Sequence, residues 1–181
     1  MLKTLDLSIS PKRELARDAT LVLLGSFAIA LFANVTIPLP FTPVPIAAQS
    51  HVALLLGALL GAKRGASAVF AFLMQGALGL PVFAKAGFGL AVLFGPTGGY
   101  LFGYLLGAYV VGKLLEKGRT TLRTFSAFAV GSLLIYALGA GYLATFLGLK
   151  KALLLGVAPF LIGDLIKTVL SMKALEWMRR G

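Results

Sequence analysis

The chain has 181 residues, of which 59% are hydrophobic, and a mean hydropathy of +0.94, which leaves its helices too few polar positions for an ordinary water-soluble domain. It contains no cysteine and a single histidine, His51, which excludes a disulfide framework, a thiolate nucleophile and a Cys/His zinc cluster. The chain has six acidic and 17 basic residues, and its net charge is +11. With so few acidic residues and one histidine, it offers few catalytic groups for a hydrolase. These properties predict a polytopic membrane protein.

Stretches without charge predict where the chain crosses the membrane, because a helix needs about 20 apolar residues to do so. Residues 19–62 contain no Asp, Glu, Lys or Arg, but their run is interrupted by Pro38, Pro40, Pro43 and Pro45. We therefore expect two spans here, at 18–37 and 46–62, joined by an extended proline-rich segment. The remaining apolar stretches predict spans at 65–82, 96–115, 124–147 and 152–174. The expected fold is an all-α membrane protein with six transmembrane helices in a single integral membrane domain, residues 1–181.

The distribution of basic residues predicts the orientation of these spans, since cytoplasmic loops hold most Lys and Arg. Four segments on one side of the predicted membrane carry most of them: Lys3, Lys12, Arg13, Arg17, Lys63, Arg64, Lys113, Lys117, Arg119, Arg123, Lys173, Arg179 and Arg180. The loops on the other side carry Lys85, Lys150 and Lys151. Both termini are therefore expected in the cytoplasm. The basic residues are spread loop by loop, which indicates the lipid bilayer rather than a nucleic acid as their partner.

The first span also has features of a cleaved signal peptide, namely a basic flank, an apolar run from Ala19 and a small residue at Ala33. Cleavage would leave five spans, and the basic loops would then agree with the charge rule only if the topology were reversed. The charge pattern therefore favours retention of this helix.

The two outer segments, 36–46 and 81–99, are long, nearly uncharged and rich in Pro and Gly. Non-helical backbone at membrane depth is tolerated where it is buried in protein or lines a cavity. The second segment holds glycines that permit close approach of a ligand to exposed backbone amides: Gly87, Gly89, Gly95, Gly98 and Gly99. The alternative is that these glycines pack a re-entrant turn.

Asp164 and Lys167 are the charged residues of the last apolar stretch, and their spacing of three places them on one face of a helix. A lone acid in hydrocarbon costs several kcal/mol, so an intramembrane carboxylate with a lysine in reach indicates a functional site. The alternative is a structural salt bridge between helices. Pro159 is expected to kink the same helix one turn before Asp164.

Four strings of residues resemble the BioY family, the biotin-specific substrate-binding membrane subunits (S components) of energy-coupling factor (ECF) transporters. They are Thr-Pro-Val-Pro-Ile-x-x-Gln at 42–49, Gly-Leu-Pro-Val-Phe-Ala at 79–84, Gly-Leu-Ala-Val-Leu-x-Gly-Pro-Thr-Gly-Gly-Tyr at 89–100 and Gly-Asp-Leu-Ile-Lys at 163–167. The resemblance covers nearly the whole chain. It implies a six-helix S-component fold in a prokaryotic cell membrane, which captures biotin from outside and works with a transmembrane coupling subunit and two ABC-type ATPases.

The chain departs from the family pattern at two places. Where relatives have a glycine-dense tract after Pro-Val-Phe-Ala, this chain has Lys85-Ala86-Gly87-Phe88-Gly89, which is bulkier and adds a cation. A small-residue face on the first helix, which related subunits use for docking on the coupling subunit, is loosely matched by Ser26 and Ala30. The sequence has no Walker A string, so we expect ATP hydrolysis to take place on another chain.

The chemistry of biotin, the ligand that the resemblance implies, suggests roles for the candidate residues. We expect Asp164 to accept hydrogen bonds from the two ureido N–H groups, and Lys167 to keep Asp164 ionised and to donate to the ureido carbonyl. Either Lys85 or Lys167 is expected to meet the valerate carboxylate, and Gln49 to contribute a polar contact or a helix–helix hydrogen bond. Candidate walls for the apolar bicycle are Phe83, Phe88, Phe94 and Tyr100, while Gly98 and Gly99 are candidates for close approach of the ligand to backbone amides.

Two other classes of function stay open at this point. A stand-alone secondary carrier for biotin or a related small vitamin would have Asp164 as its sole intramembrane proton site. A membrane enzyme would have an Asp–Lys pair for acid–base work, but no nucleophile, metal cluster or second carboxylate accompanies that pair. We therefore expect a non-enzymatic protein without cofactor or metal.

Overall fold

The computed structural model describes residues 11–37 and 39–180. Lys3 of the charge pattern and Pro38 of the proline-rich segment lie outside the described residues, as do the side chains of Arg179 and Arg180. The described chain is largely helical. Its eight α-helices are α1 (Pro11–Ala33), α2 (Gln49–Leu60), α3 (Ala62–Ala77), α4 (Leu90–Leu93), α5 (Gly98–Leu115), α6 (Thr121–Leu147), α7 (Leu149–Gly156) and α8 (Leu161–Arg180).

The predicted spans are matched by helices of unequal length. Among the described residues, four helical segments are long and apolar enough to cross a membrane: Lys12–Ala33, Gly98–Leu115, Thr121–Leu147 and Leu149–Met178. Helices α2 and α3, at the second and third predicted spans, have 12 and 16 residues. They join at Gly61, whose positive φ of 84° a side-chain-bearing residue rarely adopts, so one stretch of chain folds into two short helices. The six-span arrangement and the cytoplasmic termini stay predictions.

The sixth predicted span consists of two separate helices and not of one kinked helix. Helix α7 ends at Gly156, a 3-10 turn at Ala158–Phe160 contains Pro159, and α8 begins at Leu161. Proline lacks an N–H and clashes with the preceding helical turn, so it starts a helix well and continues one poorly. The break brings Asp164 into the first turn of α8.

The centre of the molecule is built from closely packed small residues on α2, α3 and α5. A Cβ added at Gly57 would lie 2.1 Å from the carbonyl oxygen of Ala108, and one added at Gly112 would lie 2.4 Å from the backbone nitrogen of Ala62. These helices therefore approach each other almost backbone to backbone, as in other membrane helix packings. The contact also places the turn between α2 and α3 beside the end of α5.

The small-residue face of α1 lies inside the protein. Ser26 and Ala30 are buried, and the side-chain nitrogen of Gln75 on α3 donates to Ser26 Oγ at 2.9 Å. The exposed face of α1 carries large apolar side chains, among them Leu23, Leu24, Phe27 and Leu31. The docking face that the resemblance suggested for Ser26 and Ala30 is thus occupied by α3.

The basic loops and the proline-rich segment lie at opposite ends of the helices. An ion pair of 2.7 Å joins Arg64, in the first turn of α3, to Asp18 near the start of α1. At the other end, the proline-rich segment forms the short antiparallel ladder of β1 (Thr36–Ile37) and β2 (Ile46–Ala47). There the Thr42 hydroxyl donates to the Leu155 carbonyl at 2.9 Å, which joins this segment to α7.

Candidate ligand-binding site

A partly buried ion pair forms the inner part of the candidate site. Asp164 and Lys167 lie one turn apart on α8, and Lys167 Nζ donates to Asp164 Oδ1 at 2.8 Å. The two side chains are 15% and 20% exposed, so water screens their charges only partly. Lys167 Nζ also donates to the Ala47 carbonyl at 3.0 Å, which connects α8 to β2.

Two residues from other helices complete this polar cluster. The hydroxyl of Tyr136, on α6, donates to Asp164 Oδ2. His51, on α2, is buried, with Nδ1 3.9 Å from Asp164 Oδ1 and Nε2 3.1 Å from the Thr168 hydroxyl oxygen. Asp164 is therefore the point at which side chains of α2, α6 and α8 meet.

An inner cavity of about 40 Å³ adjoins this cluster. Its polar lining comes from Ser50, Tyr136, Asp164 and Lys167, while its apolar lining comes from the proline-rich segment and the neighbouring helices. The arrangement combines a few charged groups with a mostly apolar wall, as small-molecule sites do.

An outer cavity of about 110 Å³ lies next to the inner one. The two share the side chains of Val44, Pro45, Tyr100 and Tyr104. The remaining lining of the outer cavity comes from Pro43, Gln49, Phe83, Ala84, Lys85, Val92, Thr97 and Leu101. Together the cavities form a site with the Asp164–Lys167 ion pair at its inner end and the cation of Lys85 at its outer end.

Gln49 has an unused hydrogen-bond acceptor at the outer cavity. Its side chain is 4% exposed, and its nitrogen lies 3.4 Å from the Tyr104 hydroxyl, while its Oε1 has no partner among the described residues. Buried polar atoms normally find partners, so this oxygen is available to a donor group of a ligand or a water.

The segment around Lys85 has an unusual backbone. Lys85 and Ala86 have φ values of 59° and 55°, in the left-handed region that residues with a Cβ seldom adopt. Three hydrogen bonds hold the segment: Ala86 N–H donates to Asn34 Oδ1 at 3.2 Å, Phe83 N–H donates to the Gly87 carbonyl at 3.0 Å, and Gly87 N–H donates to the Ala84 carbonyl at 3.2 Å. Strained backbone of this kind often lies at binding sites, and here it presents the exposed Lys85 at the cavity mouth.

Two of the predicted aromatic walls line the cavities. The ring of Phe83 is buried against Phe72, with centroids 5.3 Å apart in an edge-to-face arrangement, and it lines the outer cavity. Tyr100 lines both cavities, and its hydroxyl donates to the Gly156 carbonyl at 2.9 Å. Phe88 and Phe94 are exposed and line neither cavity.

Gly98 and Gly99 lie in the first turn of α5, away from the lining of both cavities. A Cβ at Gly98 would lie 1.9 Å from the Leu93 carbonyl oxygen, and one at Gly99 would lie 2.4 Å from that of Leu138. Close packing against α4 and α6 therefore accounts for both glycines, and contact of their amides with a ligand stays a prediction.

Sequence reasoning missed several polar residues of the site: Ser50, His51, Thr97, Tyr104, Tyr136 and Thr168. Each lies within a predicted span, where a polar side chain commonly faces the interior of the bundle. The position of His51 within a predicted span indicated a buried polar contact. Its partners on α8 could not be predicted, because they depend on how helices distant in sequence pack together.

Comparison with known proteins identifies the family. The family model described as the BioY family matches residues 3–180. The chain belongs to the BioY family. The biotin transporter BioY of Thermotoga maritima is 40% identical over 152 residues, which are 83% of this chain and 90% of that protein. The biotin transporter BioY of Rhizobium etli is 41% identical over 167 residues, with coverages of 86% and 89%.

The fold is similar to that of a crystallised S-component. A crystal structure of the S-component for biotin from an ECF-type ABC transporter matches with a TM-score of 0.85 and 26% sequence identity. The match covers 96% of each chain. The family and its fold therefore indicate a transport protein and not an enzyme.

Proposed function

We propose that this chain is the biotin-binding membrane subunit of a biotin uptake system. The observation that carries the proposal is the Asp164–Lys167 pair at the inner end of two adjoining, mostly apolar cavities. The relatives named above, biotin transporters and an S-component for biotin, support the identity of the ligand.

The inner end of the site suits the ureido ring of biotin. That ring has two N–H donors and one carbonyl acceptor, and an ionised carboxylate such as Asp164 accepts several hydrogen bonds. Tyr136 and Lys167 use one acceptor position on each carboxylate oxygen, so further positions stay open for the ligand. The unpartnered Gln49 Oε1 provides a second acceptor nearer the outer cavity.

The outer end of the site suits the valerate carboxylate. Lys167 already contacts Asp164 and the Ala47 carbonyl, so its ammonium group has little capacity for a second anion. Lys85 is exposed at the mouth of the outer cavity, and no salt bridge to it occurs among the described residues. This geometry supports Lys85 as the cation for the carboxylate, with the apolar bicycle between Phe83 and Tyr100.

We also propose that uptake needs an ECF module of a transmembrane coupling subunit and two ABC-type ATPases. The similarity to an S-component from an ECF-type ABC transporter supports this partner, and the sequence has no Walker A string. Since Ser26 and Ala30 are buried, a coupling subunit that contacts α1 would meet its exposed Leu and Phe side chains.

In the proposed arrangement the chain crosses the cell membrane six times, with both termini in the cytoplasm. The positive-inside pattern supports this orientation. The position of the basic turn between α2 and α3, beside the end of α5 and close to the start of α1, is consistent with it, because three basic segments then share one side. The cavities with Lys85 open toward the opposite, outer side.

The direct test is a calorimetric titration of the purified chain with biotin, desthiobiotin and biotin methyl ester. Few but charged contacts in a mostly apolar pocket are consistent with a nanomolar dissociation constant, or about −12 kcal/mol. Desthiobiotin lacks the sulfur of the bicycle and the ester lacks the free carboxylate, so the series reports separately on the apolar ring and on the carboxylate end. Absence of heat and of competition above micromolar biotin would overturn the proposal.

A further inference from the structure

We propose that His51 is a positioning residue for biotin binding. Through its hydrogen bond with Thr168 it holds the first half of α8 against α2, and with it Asp164 and Lys167. The inference rests on the proposed biotin site and adds to it a residue that lines neither cavity.

Helix α8 has few buried apolar side chains next to the site. Within residues 161–170 Thr168 is the one side chain that is buried, whereas the apolar side chains that the proposed arrangement turns to lipid are exposed: Leu161, Ile162, Leu165, Ile166, Val169 and Leu170. The buried apolar anchors are Phe160, one turn before Asp164, and Leu175, three turns beyond it. Between these two anchors, polar contacts add to the placement of Asp164.

His51 supplies one of these contacts from α2. Its Nε2 lies 3.1 Å from the Thr168 hydroxyl oxygen, and its Nδ1 lies 3.4 Å from the Ser50 hydroxyl oxygen. A hydroxyl group can donate or accept, so both contacts are possible for a neutral imidazole in either tautomer. In surroundings of low dielectric such a hydrogen bond is stronger than it is in water.

The His51–Thr168 hydrogen bond lies one helical turn from Asp164, so it can affect the binding of the ligand. Thr168 lies four residues after Asp164, so the two side chains occupy the same face of α8. Lys167, the residue before Thr168, donates to the Ala47 carbonyl. Loss of the hydrogen bond at Thr168 would allow α8 to rotate slightly about its other contacts, and this rotation would move Asp164 relative to Gln49 on α2. Polar recognition requires placement within about 0.5 Å, so this movement weakens binding.

The test compares variants that remove the hydrogen bond with variants that keep it. His51→Leu and Thr168→Val are each expected to raise the dissociation constant for biotin about tenfold. His51→Gln places an amide group near the original Nε2, and Thr168→Ser keeps the hydroxyl, so both are expected to bind within about threefold of the unaltered chain. Thr145→Val, which removes an exposed hydroxyl on α6, is the matched control.

The double variant His51→Leu/Thr168→Val is expected to bind no more weakly than either single variant, because both changes remove one shared contact. Melting temperatures of all variants separate a loss of folding from a loss of affinity. If the unaltered chain does not bind biotin, the proposed function fails before His51 is tested. If it binds and His51→Leu binds equally well, or if His51→Gln is as weak as His51→Leu, the positioning role is overturned and the proposed function stands.

Discussion

Replacing Asp164 by asparagine tests the centre of the proposed site. The change keeps the shape of the side chain but removes its charge and turns one oxygen into an N–H donor group. A hydrogen bond to a charged group contributes about 1.5–3 kcal/mol, so loss of the anionic acceptor for two ureido N–H groups costs about 3 kcal/mol or more. This corresponds to a dissociation constant at least about 100-fold higher.

Calorimetric titration measures this effect. We expect Asp164→Asn to weaken the binding of biotin and of its methyl ester equally, because the substitution acts at the ureido end and the two ligands differ only at the carboxylate end. Glu176→Gln is the matched control, since it is the same chemical change at an exposed position of the same helix. Binding within about threefold of the unaltered chain in Asp164→Asn would refute the assignment of Asp164 to the ligand.

The asparagine variant also leaves Lys167 without its partner, and breaking a buried ion pair costs about 3–5 kcal/mol of stability. The double variant Asp164→Asn/Lys167→Met removes both charges and thereby separates the two effects. We expect it to recover the melting temperature and still not bind biotin. Recovery of binding together with stability would show that the pair serves the fold alone.

Three further predictions concern the outer cation, the topology and the energy source. Lys85→Ala is expected to weaken biotin about tenfold and to leave the methyl ester unchanged in the same titration, whereas equal loss of both ligands would assign Lys85 to the loop structure. Cysteines introduced at Lys63 and Lys117 are expected to react with an impermeant maleimide only from the cytoplasmic side, and one at Lys150 only from outside; opposite labelling at any of these positions contradicts six spans. Proteoliposomes with this chain alone are expected not to accumulate labelled biotin, even with an imposed proton gradient, until a cognate coupling module and ATP are added. Accumulation driven by a pH gradient, and lost in Asp164→Asn while binding persists, would favour the secondary carrier.

The sequence indicated where the long helices lie because their signals are local. Charge-free stretches and prolines indicated where α1, α5 and α6 lie, and the spacing of Asp164 and Lys167 indicated that their side chains meet. The division of the last span at Pro159 was underestimated, since a proline is compatible with both a kink and a new helix start.

The site is formed by contacts between residues that are far apart in the sequence, and no local sequence pattern predicts such contacts. Tyr136 and His51 reach Asp164 from α6 and α2, at separations in sequence of 28 residues and more. Gly98 and Gly99 lie in a string that predicted a ligand contact, and the structure shows in addition that both glycines are needed for close helix packing. Which face a small or polar residue presents is decided by its neighbours in space.

The polar contacts of α8 would have a consequence for release of the ligand from the proposed site. Hydrogen bonds join this helix to Tyr136 of α6, His51 of α2 and Ala47 of β2. In partly buried surroundings each of these hydrogen bonds is stronger than it is in water. Additional water between α8 and its neighbours would compete for all three, and would also hydrate the carboxylate to which we assign the ureido ring. One change in hydration beside α8 would therefore weaken both the attachment of the helix and the binding of the ligand.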